Sequence, residues 1–421
     1  MREFATPFEA GKECYDRGDY AQAEGFLTEA LAFAPTDPEV LWRLASCKAF
    51  AARLEDAHKI ASLALSVDPG CHQACATLAN VSVVWGDFEA GEAFADRCLQ
   101  IAPNMPSVMW LKSHCELYRG DFKSGFRKWR YGRAAKTRPA RAEGPEWRGE
   151  KTGTLFVWCE QGFGDAVQFS RWVPFLKKFA DRVVFEAYAP LVNLFQEQDW
   201  GVHVTAQPPD FHCPYEYDAQ VALLDVPGAL GVASPADVSG RPYLKAPKSV
   251  DATEALKGRK VGIVWAGRDT HGNDRNRSFK DEDLEPLAHL PLVSLQRGGR
   301  PPKAWLDMGP YLNDFSQLAA VVSGLDLLVS ADTAAAHLAG AMGVPVVMVP
   351  PLNGEWRWGK DGSRSCWYGS MRIVRPVDGF RPALEQIAKE LGEAPVPVTT
   401  TFGAKPSING ALKARREKAA V

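Results

Sequence analysis

A period of 34 residues runs through the first third of the 421-residue chain and limits how that third can fold. Prolines, leucines and turn residues all recur at this interval. The matching positions are Pro35, Pro69 and Pro103; Leu31, Leu65 and Leu99; and Gly18, Ala52, Gly86 and Gly120. A fixed period of this length is typical of stacked helical units, none of which can bury its apolar face alone.

Each repeated feature has a physical role in a pair of antiparallel helices. Aspartate follows both Gly18 and Gly86. A glycine suits the turn between the helices, because a residue without Cβ adopts left-handed angles easily. Small residues let the second helix approach the first, and proline ends the second helix. The small positions are Ala23, Ala57, Gly91 and Gly125.

This pattern resembles the tetratricopeptide repeat. It predicts an α-helical solenoid over residues 1–135, with three full repeats over about 2–103 and a final helix pair near 104–135. The resemblance implies a groove that binds a peptide or protein. The alternative is an array that serves only as a packing scaffold.

Composition argues against several other classes of protein. The formal net charge is −2, which gives no reason to expect a nucleic-acid partner or an anionic membrane. The most apolar stretch, 338–352, is broken by two glycines and three prolines and predicts a helix, a turn and a strand, not a membrane span. Residues 1–15 lack the apolar core of a signal peptide. Nine cysteines without metal-binding spacing predict thiols in a reducing cytoplasm and no metal site.

A charged segment, 136–153, predicts a linker between the repeats and a different kind of domain. Beyond it, short apolar runs alternate with helical patterns, which favours parallel strands joined by crossover helices. The predicted strands cover 155–159, 183–187, 202–206, 221–224, 261–265, 292–295, 327–330, 346–349 and 371–374. A break near 242–258 divides them into two Rossmann-like domains, 154–250 and 251–392, facing a cleft that suits a nucleotide-containing ligand. Residues 393–421 have no periodicity and predict a disordered tail.

Several short motifs follow one another in this second part. They are 159–169 (CEQGFGDAVQF), 264–267 (VWAG), 273–278 (NDRNRS), 293–296 (VSLQ), 330–340 (SADTAAAHLAG), 355–358 (EWRW) and 367–368 (WY). Together with the repeats they resemble the bacterial tetratricopeptide-containing glycosyltransferases, whose catalytic part is similar to glycosyltransferase family 9, the heptosyltransferase group. The resemblance covers about residues 1–392 and implies a GT-B fold and inverting sugar transfer. It also implies a nucleotide-sugar donor as substrate, with no metal and no other cofactor.

The chain departs from the heptosyltransferases at two donor-site positions. Ala334 follows Asp332 and Thr333 where those enzymes tend to have glycine, and arginines stand where they have a phosphate-binding lysine. A third difference lies at 217–221, where relatives often place a His-Cys pair. These differences leave the donor sugar and its nucleotide open.

Asp165 is the predicted catalytic residue. It follows a glycine-containing turn after the first strand of the α/β part and opens a helix, where a carboxylate can face the cleft and accept a proton from an attacking hydroxyl group. Gly164 is predicted to let the donor approach closely. The alternative for Asp165 is a helix cap that satisfies free backbone N–H groups.

Asp332, Thr333 and His337 are predicted to bind the donor. Asp332 and Thr333 lie between a buried strand and a helix rich in small residues that carries His337, and the N-terminus of such a helix suits a diphosphate. Thr333 and His337 are four residues apart and can share one helix face. The alternatives are a cap for Asp332 and a purely structural histidine.

Arg275 and Arg277 follow another predicted strand, and their guanidinium groups match phosphate oxygens. The alternative is a solvated charged loop. Gln296, at a strand end, is predicted to contact the base or ribose. The tryptophans of the EWRW motif either stack on the ligand or pack in an aromatic core.

The function predicted from these features is an inverting, metal-independent transfer of a sugar to a protein acceptor held by the repeats. One alternative is a transferase acting on a lipid or oligosaccharide, in which case the repeats serve assembly. Another is a non-catalytic repeat adaptor with a degenerate transferase domain. The sequence leaves open the acceptor, the oligomeric state and the activity of the site.

Overall fold

The computed structural model describes residues 6–138, 141–209, 213–248, 252 and 254–393. The chain divides into two compact units. One comprises residues up to 119 together with 127–137, and the other comprises 120–126 together with the described residues from 138 onward.

The chain up to residue 134 is built from helices, most of them paired, and α8 is shared between the two units. Their bounds are α1 Pro7–Asp16, α2 Tyr20–Phe33, α3 Pro38–Phe50, α4 Leu54–Val67, α5 His72–Trp85, α6 Phe88–Ile101, α7 Pro106–Tyr118, α8 Phe122–Trp129 and α9 Tyr131–Ala134. Helices α1 and α2, α3 and α4, and α5 and α6 pack as pairs, and each pair contacts the next along the chain. The predicted array of helical repeats is therefore confirmed.

The turns explain the repeated glycine. Gly18, Gly86 and Gly120 all have left-handed backbone angles, with φ between 84° and 90°. Ala52, at the equivalent place in the second repeat, adopts the same region with φ 57°. Gly91 lies so close to Val83 that an added Cβ would come within 2.7 Å of a methyl carbon. The small residues of the motif thus allow the two helices of a pair to meet.

Residues 138–151 contain buried groups, although their composition predicts part of a linker. Arg138 donates to Glu160 at 3.0 Å and to Asp225 at 3.0 Å, and its side chain is fully buried. Arg141 forms two 2.8 Å hydrogen bonds with Glu186. These arginines lose water but gain carboxylate partners, which is the condition for burying a charge. Arg138 and Arg141 are thereby fixed to the second unit.

The first sheet of the second unit has four parallel strands in the order β3-β2-β1-β4. The strands are β1 Thr152–Trp158, β2 Ala180–Ala187, β3 His203–Ala206 and β4 Ala219–Ala222, and the helices are α10 Phe163–Phe169, α11 Ala189–Gln196 and α12 Val226–Leu230. The predicted linker overlaps β1 by two residues. All four β4 residues and the last four of β1 are buried, as expected for a sheet covered on both faces.

The second sheet has six parallel strands in the order β10-β9-β8-β5-β6-β7. The strands are β5 Val261–Val264, β6 Val293–Ser294, β7 Leu306–Asp307, β8 Leu327–Ala331, β9 Val346–Val349 and β10 Met371–Ile373. The helices are α13 Asp274–Arg277, α14 Phe315–Ser323, α15 Ala334–Met342 and α16 Arg381–Glu393. Strand β7 was not predicted. The two parallel sheets agree with the expected fold, a helical solenoid followed by two Rossmann-like halves.

The predicted tail lies outside the described residues, except for Glu393, which is the last residue of α16. Among the described residues, no helix has both the length and the apolar character needed to cross a bilayer.

Candidate functional site

The strand order reverses at one place in each sheet. In the first sheet the chain leaves β1 for β2 on one side and later returns to β4 on the other; in the second sheet, β5 is flanked by β6 and β8 in the same way. Open parallel sheets bind ligands outside the carboxyl ends of the strands at such points. The loops after β1, β5 and β8 therefore define the candidate site, and helices α10 and α15 pack together beside it.

Asp165 lies in the first turn of α10, just after β1. Its Oδ2 accepts a 2.9 Å hydrogen bond from the backbone N–H of Gly162, which begins the helix. The carboxylate therefore does act on the helix terminus, as the capping alternative requires. It also has 17% of its side-chain surface exposed, so it remains accessible from solvent.

The turn before α10 has an unusual backbone. Gln161 has φ 64°, in the left-handed region that non-glycine residues rarely adopt. Its carbonyl accepts a 2.8 Å hydrogen bond from Tyr188, whose ring packs edge-on against Phe163. These contacts hold the turn that presents Asp165.

Gly164 is needed for the approach of α10 to α15. A Cβ at this position would lie 2.8 Å from Cδ2 of His337 and 3.6 Å from Cα of Ala334. Any side chain would push the two helices apart. The close approach observed here is between protein segments, so the predicted contact of Gly164 with a donor stays a prediction.

Thr333, not Asp332, is the N-cap of α15, and its side chain makes no capping hydrogen bond. Instead the Thr333 hydroxyl lies 3.0 Å from that of Ser330, at the end of β8. The first backbone N–H groups of α15 are thus not capped by this side chain. The alternative that Asp332 serves as the cap of α15 does not match this geometry.

His337 is buried among aromatic rings. Its Nδ1 lies 2.8 Å from the hydroxyl of Tyr368, and its ring stacks on Trp358 with centroids 5.4 Å apart. Burial lowers the pKa of His337 well below its ordinary value, and the neighbouring cations Arg357 and Arg171 lower this pKa further. The imidazole is therefore neutral at pH 7.

The contact of His337 with Asp332 is consequently not an ion pair, although Nε2 and Oδ1 are 3.7 Å apart. Burial raises the pKa of Asp332, while Arg357, Trp358 and Arg277 partly offset this effect by favouring the charged form. Asp332 is thus largely desolvated, and nearby cations favour its charged form.

Arg277 provides one of those cations. Its Nη1 approaches the backbone carbonyl of Asp332 at 3.5 Å, and its Nε bonds to Asp274 at 3.3 Å. A Cβ on Gly267 would lie 2.3 Å from Nη2 of Arg277, so the glycine after β5 makes room for the guanidinium. With 17% of its side-chain surface exposed, Arg277 remains open to a ligand.

Two of the residues predicted to bind the donor, Arg275 and Gln296, have surroundings that differ from those of Arg277. Arg275, on the same short helix α13, is exposed and has no hydrogen-bond or ion-pair partner in the described part of the chain. Gln296 uses its side-chain oxygen to accept from the N–H groups of Trp265 at 3.2 Å and Ala266 at 2.9 Å. Its carbonyl therefore holds the end of β5, and its contact with a ligand stays a prediction.

Sequence reasoning did not single out Glu355 and Arg357, although it noted the motif that contains them. Arg357 donates to Asp165 and to Glu355, and its Nε bonds to Gln168 at 2.8 Å. Burial raises the pKa of Glu355 to about 7 in spite of Arg357. Burial alone would lower the pKa of Arg357, but Glu355, Asp165 and Asp332 raise it above its ordinary value.

The tryptophans of the same motif pack inside the protein. Trp356 is 4% exposed and lies edge-on to Trp367, with centroids 5.8 Å apart. Trp358 is 3% exposed and stacks on His337. Of the two roles considered for these residues, the geometry favours aromatic packing.

The site thus joins three carboxylates, two arginines, a neutral histidine and a helix N-terminus at strand ends. Such a group can bind an anion through Arg277 and α15, and it offers a carboxylate, Asp165, as a proton acceptor. Among the described residues, no group of three or more His, Cys, Asp or Glu side chains has the arrangement of a metal site.

Comparisons with known proteins give partial matches. The family model of the tetratricopeptide repeat matches residues 15–81. Protein FlbA of Caulobacter vibrioides is 26% identical over 294 residues, which are 60% of this chain and 48% of FlbA. The chain therefore spans about half the length of this curated relative.

Two solved structures illustrate the structural matches. A mutant of the Thermobaculum terrenum O-GlcNAc transferase is 13% identical, with a TM-score of 0.38, and the match covers 98% of this chain and 96% of that one. A glycosyl transferase of family 9 from Veillonella parvula is 11% identical, with a TM-score of 0.36, covering 66% and 98%. The chain is thus similar to the tetratricopeptide-repeat family over residues 15–81, and the two glycosyltransferases are similar to it in fold.

Proposed function

We propose that this protein transfers a sugar from a nucleotide-sugar donor to a protein acceptor recruited by its helical repeats. The reaction is inverting and needs no metal and no further cofactor. The proposed setting is the cytoplasm, where the nine unpaired cysteines, seven of them buried, remain thiols.

One observation carries the catalytic part of the proposal. Asp165 after β1, Arg277 after β5 and the N-terminus of α15 after β8 come together within one unit, although they lie far apart along the sequence. The packing of Gly164 on His337 and the bond from Arg277 to the carbonyl of Asp332 support this convergence. A proton acceptor and a diphosphate site at one cleft are what sugar transfer requires.

The proposed reaction is a single displacement at the anomeric carbon. The acceptor hydroxyl gives its proton to the Asp165 carboxylate as its oxygen forms a bond to the anomeric carbon of the sugar. The bond from that carbon to the diphosphate oxygen breaks on the opposite face, so the configuration inverts. Arg277 and the N-terminal N–H groups of α15 stabilise the charge on the departing nucleoside diphosphate.

The acceptor part of the proposal depends on the repeats. A stack of helix pairs presents an extended surface that suits a peptide or a helix. A binding surface on the same chain as the transferase site raises the effective concentration of the acceptor there.

The test is Asp165→Asn, with Asp181→Asn as control because Asp181 is exposed at the start of β2. A screen of nucleoside diphosphates and sugar nucleotides by thermal shift first identifies the donor, since a ligand that binds the folded state raises its stability. We expect Asp165→Asn to lower turnover by about 10² or more with little change in donor affinity. Turnover within a few-fold of the parent protein would contradict the assignment.

A further inference from the structure

Arg357 joins two segments that are distant in sequence. It lies in the loop after β9, while two of its three side-chain acceptors, Asp165 and Gln168, are on α10. These two acceptors are three residues apart, so they share one face of the helix. The third acceptor is the Glu355 carboxylate. Only 12% of the Arg357 side-chain surface is exposed.

Both the backbone and the guanidinium of Arg357 make further contacts. The backbone N–H of Arg357 donates to Glu355 at 2.7 Å, and its carbonyl accepts from the indole of Trp367 at 2.9 Å. Its guanidinium carbon lies 4.3 Å from the ring centroid of Trp356. Moving this side chain would therefore break several contacts at once.

Asp165, in contrast, has few constraints of its own. Gly162 donates to Oδ2, and Arg357 donates to Oδ1. One donor leaves a carboxylate free to turn about that bond, whereas two donors on different oxygens define its plane. The orientation of the candidate base is thus set by Arg357 as much as by its own helix.

We propose that Arg357 is the positioning residue for Asp165: it fixes the carboxylate in the orientation that receives the acceptor proton, and it does not itself bind the donor diphosphate. The inference rests on the proposed function. Arg357 stays protonated throughout, and the only proton that moves goes from the acceptor hydroxyl to Asp165.

The test compares Arg357→Gln and Arg357→Lys with the parent protein. We expect Arg357→Gln to lower kcat about 10- to 100-fold, because a small displacement of a reacting group has effects of this size. The KM for the donor and the affinity for the nucleoside diphosphate should stay within about 3-fold, and lysine should restore part of kcat because it keeps the charge without the fork. A diphosphate affinity that falls 10-fold or more would overturn the inference in favour of direct donor binding.

A double variant separates positioning from general damage. If Arg357 acts through Asp165, then Arg357→Gln adds nothing further to the loss caused by Asp165→Asn, because residues that act as a unit are not additive. Multiplied losses would overturn the inference. Arg372→Gln is the matched control: Arg372 also pairs with a partly buried carboxylate, Glu390, but on β10 away from α10, and it should keep kcat within about 2-fold.

The inference can fail independently of the proposed function. If the parent protein turns over no sugar nucleotide, the proposed function fails, and crystal structures of the parent and of Arg357→Gln still decide the role of Arg357. If the Asp165 carboxylate turns away from the Gly162 N–H in the variant, the positioning role of Arg357 is supported. If the carboxylate keeps its orientation, the inference is overturned. Thermal unfolding checks that the variant folds, and Arg357→Lys replaces it if it does not.

Discussion

Glu355 is a carboxyl group whose protonation is coupled to folding. Burial raises its pKa from 4.5 to about 7, although the charge of Arg357 opposes the shift. The folded chain therefore binds this proton more tightly than the unfolded chain. The stabilising contribution is complete below about pH 4.5 and is lost as the pH rises to about 7, and it amounts to about 3 kcal/mol at most.

We predict that Glu355→Gln gains stability relative to the parent protein as the pH rises from 5 to 8, since the amide cannot ionise. The measurement is the difference in unfolding temperature between the two proteins at each pH. Glu390→Gln is the control, because hydrogen bonds from Arg372 and Gln386 outweigh partial burial and lower the pKa of Glu390. The difference in unfolding temperature between Glu390→Gln and the parent protein should be constant from pH 5 to 8. If the difference in unfolding temperature were constant for Glu355→Gln as well, it would contradict a raised pKa of Glu355 in the folded chain.

Arg277 and Arg275 lie on the same short helix and differ in what surrounds them. Arg277 is close to Gly267 and to the carbonyl of Asp332, whereas Arg275 is exposed. We predict that Arg277→Ala weakens nucleoside diphosphate binding by about 1.5–3 kcal/mol, the range for a hydrogen bond to a charged group. Calorimetry should show Arg275→Ala changing the affinity much less. Equal effects of the two substitutions would mean that helix α13 acts only through its overall charge.

The residues that could be predicted are those next to a recognisable strand. Asp165, Arg277 and Asp332 each follow an apolar run, and parallel strands bring such positions to one edge. The partnership of Arg357 with Asp165 could not be predicted in this way, because it joins residues 192 positions apart and begins in an irregular loop. Glu355 was missed for the same reason, since its pKa depends on burial that no local pattern encodes.

At the scale of elements, the second repeat has a weakness at Ala52. This residue adopts φ 57° at a turn where the other copies have glycine. A left-handed conformation costs a residue with Cβ about 1–2 kcal/mol. Replacing Ala52 with glycine removes this cost, but part of the gain in stability is offset because glycine makes the unfolded chain more flexible. We predict that Ala52→Gly stabilises the α3–α4 pair by about 0.5–1 kcal/mol.

Hydrogen exchange of the α3 and α4 amides measures this change locally in the full chain. Gly18→Ala is the converse control, since nothing lies within 4 Å of an added Cβ and only the backbone angle opposes the substitution. It should destabilise the α1–α2 pair by about 1 kcal/mol. Slower exchange in Gly18→Ala, or faster exchange in Ala52→Gly, would contradict the account of these turns.

The elements that sequence reasoning missed are short or rely on distant partners. Strand β7 has only two residues, Leu306–Asp307, too few for a periodic pattern. Residues 138–151 look like a linker because arginines and prolines usually stay in water. Arg138 is buried against Glu160, just after β1, and Asp225, and Arg141 is buried against Glu186 on β2. The long repeats and the buried strands were predictable because their patterns recur many times.

At the scale of the whole molecule, helix α8 belongs to both units. Phe122 and Phe126 pack in the second unit, where their rings lie within 6.2 Å of those of Trp367 and Trp356. Trp129 packs in the first unit, with its ring 4.8 Å from that of His114. A shortened chain that begins at Lys136, where the linker was predicted, would therefore remove part of the second unit's core.

The last prediction tests the role of the repeats with a chain that begins at Arg119 and so keeps α8. We expect this shortened protein to keep nucleoside diphosphate affinity and slow donor hydrolysis, because all the site residues remain. Transfer to the protein acceptor should fall at least about 10-fold, since the acceptor loses its effective concentration near the site. Kinetics at increasing acceptor concentration give the result, and a loss confined to low concentrations is the signature of recruitment.

Folding of the shortened protein is checked by its affinity for the nucleoside diphosphate, which needs an intact second unit. A matched control keeps every residue but changes one exposed side chain of the array, as in Glu29→Gln, and should transfer at the parent rate. If the shortened protein modifies its acceptor as fast as the full chain, the repeats are not the acceptor site. Recognition of the acceptor by the second unit itself would then be the expectation, as in the alternative of a transferase that acts on a lipid or an oligosaccharide.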